Sequence, residues 1–252
     1  MFYMEFIDGV MEKVLSGCPN LEYLELEDFS GIYRLEISSV KLRELIIREY
    51  KNENHDLELK LLAPYIKKLQ IVGLCSEIRI INVASLVTAM LRLDFDFYLG
   101  EEQNLEKETS LFKELLHSVA HVENLTLGSW CIEYLLSCYT HWDEETRRLE
   151  PPNFNGSFPY LKTIKILKFN ECVLPLIKYL LKHAIVLEKF DIVAAVQRNH
   201  TSPDYVTMAR EVLKLLSPII CIHRNILNIY NFMFETVRFA VKNICYKMES
   251  AD

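Results

Sequence analysis

Val14 to Gly31 have the sequence VLSGCPNLEYLELEDFSG, which is the strongest indication of the fold that we expect for the chain. Its leucines Leu21, Leu24 and Leu26 follow the spacing L-x-x-L-x-L, directly after Cys-Pro-Asn. The last two leucines are two residues apart, so they point to the same side of a β-strand, and the residues between them point to the other side. The stretch therefore predicts a strand with one buried side and one open side.

The same spacing recurs, less regularly, along most of the sequence. Clear copies lie at Leu42/Leu45/Ile47, Ile66/Leu69/Ile71, Val122/Leu125/Leu127, Leu161/Ile164/Ile166 and Leu187/Phe190/Ile192, with weaker copies at Thr88/Leu91/Leu93 and Ile32/Leu35/Ile37. Leucine-rich repeats have this pattern at a period of about 20–29 residues, and each repeat adds one strand to a parallel sheet. We expect an α/β fold, a leucine-rich-repeat solenoid with a curved parallel sheet and convex-side helices.

Segments with helical spacing lie between these strands. They are the opening segment from Ile7 to Leu15, then Leu111–Val119, Cys131–Tyr139 and Pro175–His183, whereas Glu101–Glu108 and Glu150–Pro159 are expected to be loops. Because the chain opens on a helix with no strand expected before it, we expect its N-terminal end to be cut. Residues 1–193 are assigned to the repeats and residues 194–252 to a helical C-terminal tail.

Composition and charge exclude several classes of protein. Half of the residues are apolar and a quarter are charged, so the chain can bury a large core. The net charge of −7 argues against a nucleic-acid partner, and no apolar run is long enough to predict a membrane span. The seven cysteines are odd in number, form no C-x-x-C pair and follow no secretory signal, so we expect reduced thiols in the cytosol or the nucleus.

Three segments resemble the plant F-box/leucine-rich-repeat superfamily, and within it the members that end in an FBD-type region. LSGCPNLEYLELEDFSG (15–31) resembles the family's repeat, Phe158–Ile192 resembles the strand–helix–strand pattern of the FBD region, and Met208–Ser217 resembles the short helix that closes it. The resemblance covers about residues 7–217, and its FBD-like part is residues 158–193. The sequence after residue 217 departs from the family pattern.

The resemblance implies a function in protein recognition. Full-length members select substrates for ubiquitination, and their F-box docks the Skp-type adaptor of a cullin ubiquitin ligase. No stretch before the first repeat reads as an F-box, so we expect no adaptor docking by this chain. The implied role is a protein-binding module, without catalysis and without a cofactor.

The strand pattern also predicts which side chains face a partner on the concave side of the sheet. The expected partner-binding residues are Tyr23, Glu25, Glu27, Glu44, Ile46, Arg48, Lys68, Gln70, Arg92, Asp94, Asp96 and Lys165, with Val72, Thr163, Leu167, Lys189 and Asp191 on the same side. Exposure of Ile46 and Val72 on this side would favour contact with a protein.

Two sets of residues raise the possibility of chemistry. His117 and His121 are four residues apart on a predicted helix, which would put two imidazoles on one face for a metal, but no nearby residues complete a metal-ligand set. Asp94 and Asp96 alternate along a strand, yet the sequence has no nucleophile motif and no glycine-rich phosphate loop. We expect no metal site and no enzyme. Two alternatives stay open, a receptor or hydrolase whose pocket is formed by residues 101–118 and 143–159, and a truncated fragment without function.

Overall fold

The computed structural model describes residues 4–6, 9–51, 58–74, 78–94, 102–128, 157–169, 174–194 and 227–231. The chain divides into two compact units, Met1–Val122 and Glu123–Asp252. Over the described residues each unit is α/β, and every strand pairing is parallel. The prediction of an α/β fold built on parallel strands is confirmed.

Unit 1 contains two parallel sheets. The first has the order β1-β2-β4-β6-β8 and the second the order β3-β5-β7. The bounds are β1 Met4–Glu5, β2 Tyr23–Ser30, β3 Arg34–Glu36, β4 Glu44–Tyr50, β5 Leu59–Leu62, β6 Lys68–Leu74, β7 Ile78–Asn82 and β8 Thr88–Asp94, and its helices are α1 Val10–Gly17 and α2 Glu102–Ser118. The inward residues of both sheets form the core. Examples are Leu45 and Ile47 from the first sheet and Leu35 and Leu61 from the second, all of which are fully buried.

The connections between β2, β4, β6 and β8 correct the prediction of convex-side helices, because each of the three contains a strand of the second sheet. In these connecting strands, buried apolar residues alternate with exposed ones. Leu59 and Leu61 of β5 are buried on either side of exposed Lys60, and Ile78 and Ile80 of β7 are buried on either side of exposed Arg79. A period of two places these side chains on one side of a strand, whereas a helix would need them three or four residues apart.

The same type of hydrogen-bonded turn precedes strands in both units, and we call it the strand-entry turn. The N–H of the first apolar residue in a repeat donates to the carbonyl three residues earlier, at distances between 2.9 and 3.4 Å. The pairs are Leu21 to Cys18, Ile66 to Ala63, Leu86 to Val83, Val122 to Val119, Leu161 to Phe158 and Leu187 to Ala184. Proline follows the acceptor residue in three of them (Pro19, Pro64 and Pro159), where its fixed φ suits the first central position of a β-turn.

In unit 1, a forked hydrogen bond joins each of the second, third and fourth repeats to the one before it. The Glu22 carbonyl accepts from the N–H of Arg43 at 2.8 Å and of Glu44 at 3.2 Å. The Arg43 carbonyl accepts in the same way from Lys67 at 2.8 Å and Lys68 at 2.9 Å. This contact fixes the register in which successive strands enter the sheet.

The fourth copy of the spacing lies two residues earlier than the sequence suggested. The turn from Val83 to Leu86 corresponds to the turn from Ala63 to Ile66, and the register pairs Leu69 with Ala89 and Ile71 with Leu91. The copy is therefore Leu86/Ala89/Leu91, not Thr88/Leu91/Leu93. Similarly, the weak copy at Ile32/Leu35/Ile37 lies around β3 in the second sheet.

A left-handed residue interrupts the alternation near the end of β2 and β4. Asp28 has φ 53° and Glu49 has φ 48°, and Gly73 of β6, the next residue after the pair Arg48/Val72, has φ 144°. Because the alternation shifts by one residue there, Phe29 and Tyr50 turn inward, and their ring centroids lie 5.2 Å apart in the core.

The N-terminal segment contains a strand that the sequence did not predict. β1 pairs in parallel with the end of β2, Met4 with Phe29 and Glu5 with Ser30, and it precedes α1. Gly31 has φ 78°, and a Cβ at this position would lie 2.1 Å from the Phe6 carbonyl oxygen. The expectation that no strand precedes the first helix is therefore wrong.

Unit 2 has one parallel sheet over its described residues, in the order β9-β10-β11-β12. The bounds are β9 Asn124–Gly128, β10 Thr163–Phe169, β11 Lys189–Ala194 and β12 Leu227–Asn231, with α3 Leu174–His183 between β10 and β11. The Glu123 and Lys162 carbonyls repeat the forked hydrogen bond of unit 1, at 2.8–2.9 Å.

The helix predictions have mixed outcomes. The helices predicted from Ile7, from Leu111 and from Pro175 correspond to α1, α2 and α3. The loop predicted at Glu101–Glu108 is wrong from residue 102 onward, because α2 begins there. In the C-terminal tail, Leu227–Asn231 form β12, so the prediction of helix is wrong for these five residues. The helices predicted at Cys131–Tyr139 and at the start of the tail lie outside the described residues.

Candidate functional site

Unit 1 presents one side of its first sheet as a continuous face of twelve side chains, which we call the open face. The register aligns these residues in three rows across β2, β4, β6 and β8. The rows are Tyr23–Glu44–Lys68–Thr88, Glu25–Ile46–Gln70–Met90 and Glu27–Arg48–Val72–Arg92. Nine of the predicted partner-binding residues and Val72 lie in these rows, and Asp94 ends β8, so the strand pattern placed these nine on the open face. That they bind a partner stays a prediction.

A polar network connects three strands of the open face. The Tyr23 hydroxyl donates to Glu25, and Arg48 Nε donates to Glu25 Oε1 at 2.7 Å. With the Gln70 amide oriented to satisfy both groups, its oxygen accepts from Arg48 Nη1 and Nη2 at 3.1 Å. Arg48 is the centre of this network because its guanidinium offers several donors in a fixed plane.

The network shifts the pKa of two of its members. The hydrogen bond from Tyr23, and then that from Arg48, lowers the pKa of Glu25 below its ordinary value. The same hydrogen bond to Glu25 raises the pKa of Tyr23. Both shifts favour the states that these groups already have at neutral pH, a carboxylate for Glu25 and a neutral, donating hydroxyl for Tyr23.

Ile46 lies on the predicted side of β4 but is buried, so the condition under which it would favour contact with a protein is not met. Its relative exposure is 6%. Glu25 and Gln70 flank it in the same row, and Arg48, two residues further along the strand, reaches both of them. Ile46 thus forms the floor of the face below the polar network, whereas Val72 is half-buried.

Two charged residues of the third row remain without an ion-pair partner among the described residues. Glu27 and Arg92 are exposed and form no such pair there, whereas Arg48 pairs with Glu25 and Lys68 Nζ lies 3.4 Å from Glu44 Oε2. The unpaired carboxylate is on β2 and the unpaired guanidinium is on β8. The open face is therefore negative at one end of this row and positive at the other.

The remaining predicted residues have different positions. Asp94 ends β8 opposite Leu74, one row beyond Arg92, and its side chain lies outside the described part of the structure, as does the whole of Asp96. The expectation that these two aspartates carry out no acid–base chemistry stays a prediction. The sequence missed Thr88 and Met90, which the two-residue shift of the fourth copy adds to the face.

Unit 2 has a polar side of its own. Lys165 pairs in register with Thr126 and Asp191, and Thr163 with Asn124 and Lys189. Asp191 is buried at 5% exposure, and its Oδ2 lies 2.7 Å from Lys189 Nζ. Leu167 pairs with Gly128 and Val193 and is half-buried.

One further ion pair of unit 2 joins successive repeats. Lys162 Nζ donates to Glu123 Oε2 at 2.9 Å, and this hydrogen bond raises the pKa of Lys162. Both residues belong to the forked backbone contact at the strand entry. The pair thus holds the side chains of two neighbouring repeats together at the point where the backbone also connects them.

The two histidines of the possible metal pair do not share a helix face. α2 ends at Ser118, so His121 lies beyond it, and its Nε2 is 3.0 Å from the Val83 carbonyl oxygen and donates to it. His117 is exposed in the last turn of α2. His121 therefore connects two strand-entry turns instead of facing His117.

Over the described ranges, no group of three or more His, Cys, Asp or Glu residues is placed to hold a metal ion. In the same part of the chain, none of the helices combines the length and the apolar composition that a membrane span needs.

Comparison of the chain with protein-family models, with curated proteins and with solved structures finds no match.

Proposed function

We propose that the chain is a leucine-rich-repeat solenoid module that binds a protein partner through the open face of unit 1. Its role would resemble that of the substrate-binding repeats of an F-box ubiquitin-ligase subunit, and it would bind without catalysing a reaction. The observation that carries this proposal is the open face itself, in which twelve side chains from four strands lie in three registered rows with a buried apolar floor.

The repeat character of the chain supports the solenoid part of the proposal. The same hydrogen-bonded turn precedes strands of both units, and the forked carbonyl contact recurs in both. Repeats that stack in this way bury their apolar sides against their neighbours and leave the other side of each strand available. The function then depends on that available side, because a fold does not by itself specify a partner.

The chemistry of the open face supports a protein partner in particular. Arg48 and Tyr23 are residue types enriched in protein interfaces, and hydrogen bonds already hold both in place. A pre-positioned side chain loses less conformational entropy on binding than a free one. The mixture of carboxylates, cations and half-buried Val72 and Met90 suits a surface of mixed chemistry, and it offers no basic stripe for a nucleic acid.

Site-specific photo-crosslinking tests the proposal. A photoreactive amino acid replaces Thr88 on the open face in one variant and Lys60 on the exposed side of β5 in the control variant. We expect a reproducible protein adduct from the Thr88 position that excess unmodified protein competes away, and none from the Lys60 position. Identical adducts from both positions, or none from Thr88, would refute recognition through the open face. Identification of the adduct by mass spectrometry also shows whether a Skp-type adaptor is captured.

The alternative of a receptor or hydrolase places a pocket between residues 101–118 and 143–159. Residues 102–118 form α2, and its last turns pack against β7 through Arg79 Nη2 to Glu114 Oε2 at 3.0 Å and Ser118 Oγ to the Ile80 carbonyl at 3.3 Å. Residues 143–156 lie outside the described part of the chain. No contact among the described residues favours this pocket, so we do not advance it as a second function.

A further inference from the structure

Two charges of the open face that form no ion pair within the described part of the chain, those of Glu27 and Arg92, have a fixed separation. Glu27 and Arg92 occupy the same row, on β2 and β8, with Arg48 of β4 and Val72 of β6 between them. Neighbouring strands lie about 4.7–4.9 Å apart, so three strand spacings place the Cα atoms of Glu27 and Arg92 about 14 Å apart. Sheet twist changes the direction of this line more than its length.

The surface between these two charges is less charged than its ends. Arg48 is already bound to Glu25 and Gln70, Val72 and Met90 are half-buried, and Ile46 is buried. A ligand that crosses the strands along the third row would first meet the Glu27 carboxylate. It would then meet the centre, where the charge of Arg48 is already paired and Val72 is apolar, and finally the Arg92 guanidinium. Complementarity therefore requires a cation and an anion at the two ends of the ligand, with small or apolar groups between them.

We propose that the open face binds an extended polypeptide segment that crosses the strands and carries a basic and an acidic residue four positions apart. The basic side chain pairs with Glu27 and the acidic side chain with Arg92. This inference rests on the proposed function, because it specifies the partner of the same face.

The spacing of four follows from the geometry of an extended chain. Each extended residue advances about 3.2–3.4 Å, so four residues cover about 13–14 Å, which matches the separation of the two charges. Side chains at even spacings point to the same side of an extended chain, so both charged residues and the residue midway between them face the sheet. Spacings of three or five would turn one of the charged side chains away.

Synthetic peptides of twelve residues test the inference with the full chain. Each peptide has blocked ends and one lysine and one glutamate separated by two to six positions in a background of serine, threonine and alanine. Binding is measured from amide chemical shifts of the isotope-labelled protein. We expect the peptide with a spacing of four to bind about fivefold more tightly than peptides with spacings of three or five, which corresponds to about 1 kcal/mol.

Charge reversal provides the decisive comparison. Glu27→Lys and Arg92→Glu should each weaken binding of the spacing-four peptide about fivefold or more. The double variant should restore it, because the peptide can bind in the reversed direction. A peptide with two glutamates at the same spacing should bind Glu27→Lys more tightly than the wild type. The matched controls are Glu12→Lys on α1 and Lys60→Glu on β5, both at exposed positions outside the open face, and they should leave affinity within twofold.

The outcomes separate this inference from the proposed function. The charge-spacing inference is overturned if the chemical-shift changes of open-face amides do not depend on the spacing of the two charges in the peptide. It is also overturned if neither single charge reversal weakens peptide binding. Either result still allows the open face to recognise a protein. No open-face shifts with any peptide at millimolar concentration also overturns the inference, and the crosslinking experiment at Thr88 then decides recognition by itself.

Discussion

Replacement of Ile46 by alanine tests whether this residue is a structural floor or an accessible contact. Ile46 is on the open face, yet it is 6% exposed, whereas its inward neighbour Leu45 is 0% exposed and Ile81 of β7 is 50% exposed. All three side chains are aliphatic and lie in parallel strands, so differences in strand propensity largely cancel. Their alanine variants form a series that separates burial from secondary structure.

The expected losses follow from the burial of each side chain. Truncation of isoleucine to alanine removes about three methylene equivalents, or about 2.4 kcal/mol when the side chain is fully buried. Ile46→Ala should therefore destabilise unit 1 by about 2 kcal/mol, and half-exposed Ile81→Ala by about 1 kcal/mol. Leu45→Ala also leaves a closed cavity and should cost about 3–4 kcal/mol.

Hydrogen exchange of the β4 amides, measured by mass spectrometry, reports the opening free energy of unit 1 without requiring both units to unfold together. A loss of opening free energy that is largest for Leu45→Ala, smaller for Ile46→Ala and smallest for Ile81→Ala supports the burial seen in the structure. A loss for Ile46→Ala within about 0.5 kcal/mol of that for Ile81→Ala would show that Ile46 is accessible, and the polar network would then not cover it.

Three further predictions concern backbone conformation and protonation. Gly73→Ala should lower the free energy of unfolding by about 1–3 kcal/mol because φ 144° is unsuited to alanine, whereas Gly17→Ala, with open space around its Cβ position and no positive φ, should not destabilise; denaturant titration checks both. Tyr23→Phe should raise the pKa of Glu25 in an NMR titration. The stabilisation from the lowered pKa is present above the ordinary glutamate pKa and is lost as pH falls through the folded-state value. An unchanged Glu25 titration would contradict the hydrogen bond. Glu123→Gln should lower the pKa of Lys162 in the same type of titration. The stabilisation from this pair is present below the ordinary lysine pKa and is lost as pH rises through the raised value.

The sequence predicted the strands of the main sheets well because their signal is local. Two apolar residues at i and i+2 after a turn identify a strand, and this pattern located β2, β4, β6, β9, β10 and β11. Ala89 occupies a position where the other copies have a larger apolar residue, and this substitution moved the predicted fourth copy by two residues. The shift preserves the side of the strand, so Arg92 was still assigned correctly to the open face.

Features that depend on distant residues could not be predicted. The sequence marked only one strand of the second sheet, through the weak copy Ile32/Leu35/Ile37 around β3, and nothing local indicated that β3 pairs with β5 and β7 in a separate sheet. Glu25 and Arg48 are 23 residues apart in sequence, and only the register brings them together. The burial of Ile46 depends on side chains of two neighbouring strands. The start of α2, EQNLEKE, lacks an apolar stripe but consists mostly of good helix formers.

Methyl-to-methyl NOEs test whether successive repeats stack as parallel strands in register and so create the open face. We expect cross-peaks between Leu45 and Leu69 and between Ile71 and Leu91, because each pair occupies adjacent positions on neighbouring strands. Contacts of Ile71 with Leu93 in place of Leu91 would change the register of the fourth strand and the position of Arg92. Absence of the Leu45–Leu69 contact would contradict the stacked arrangement and, with it, the open face.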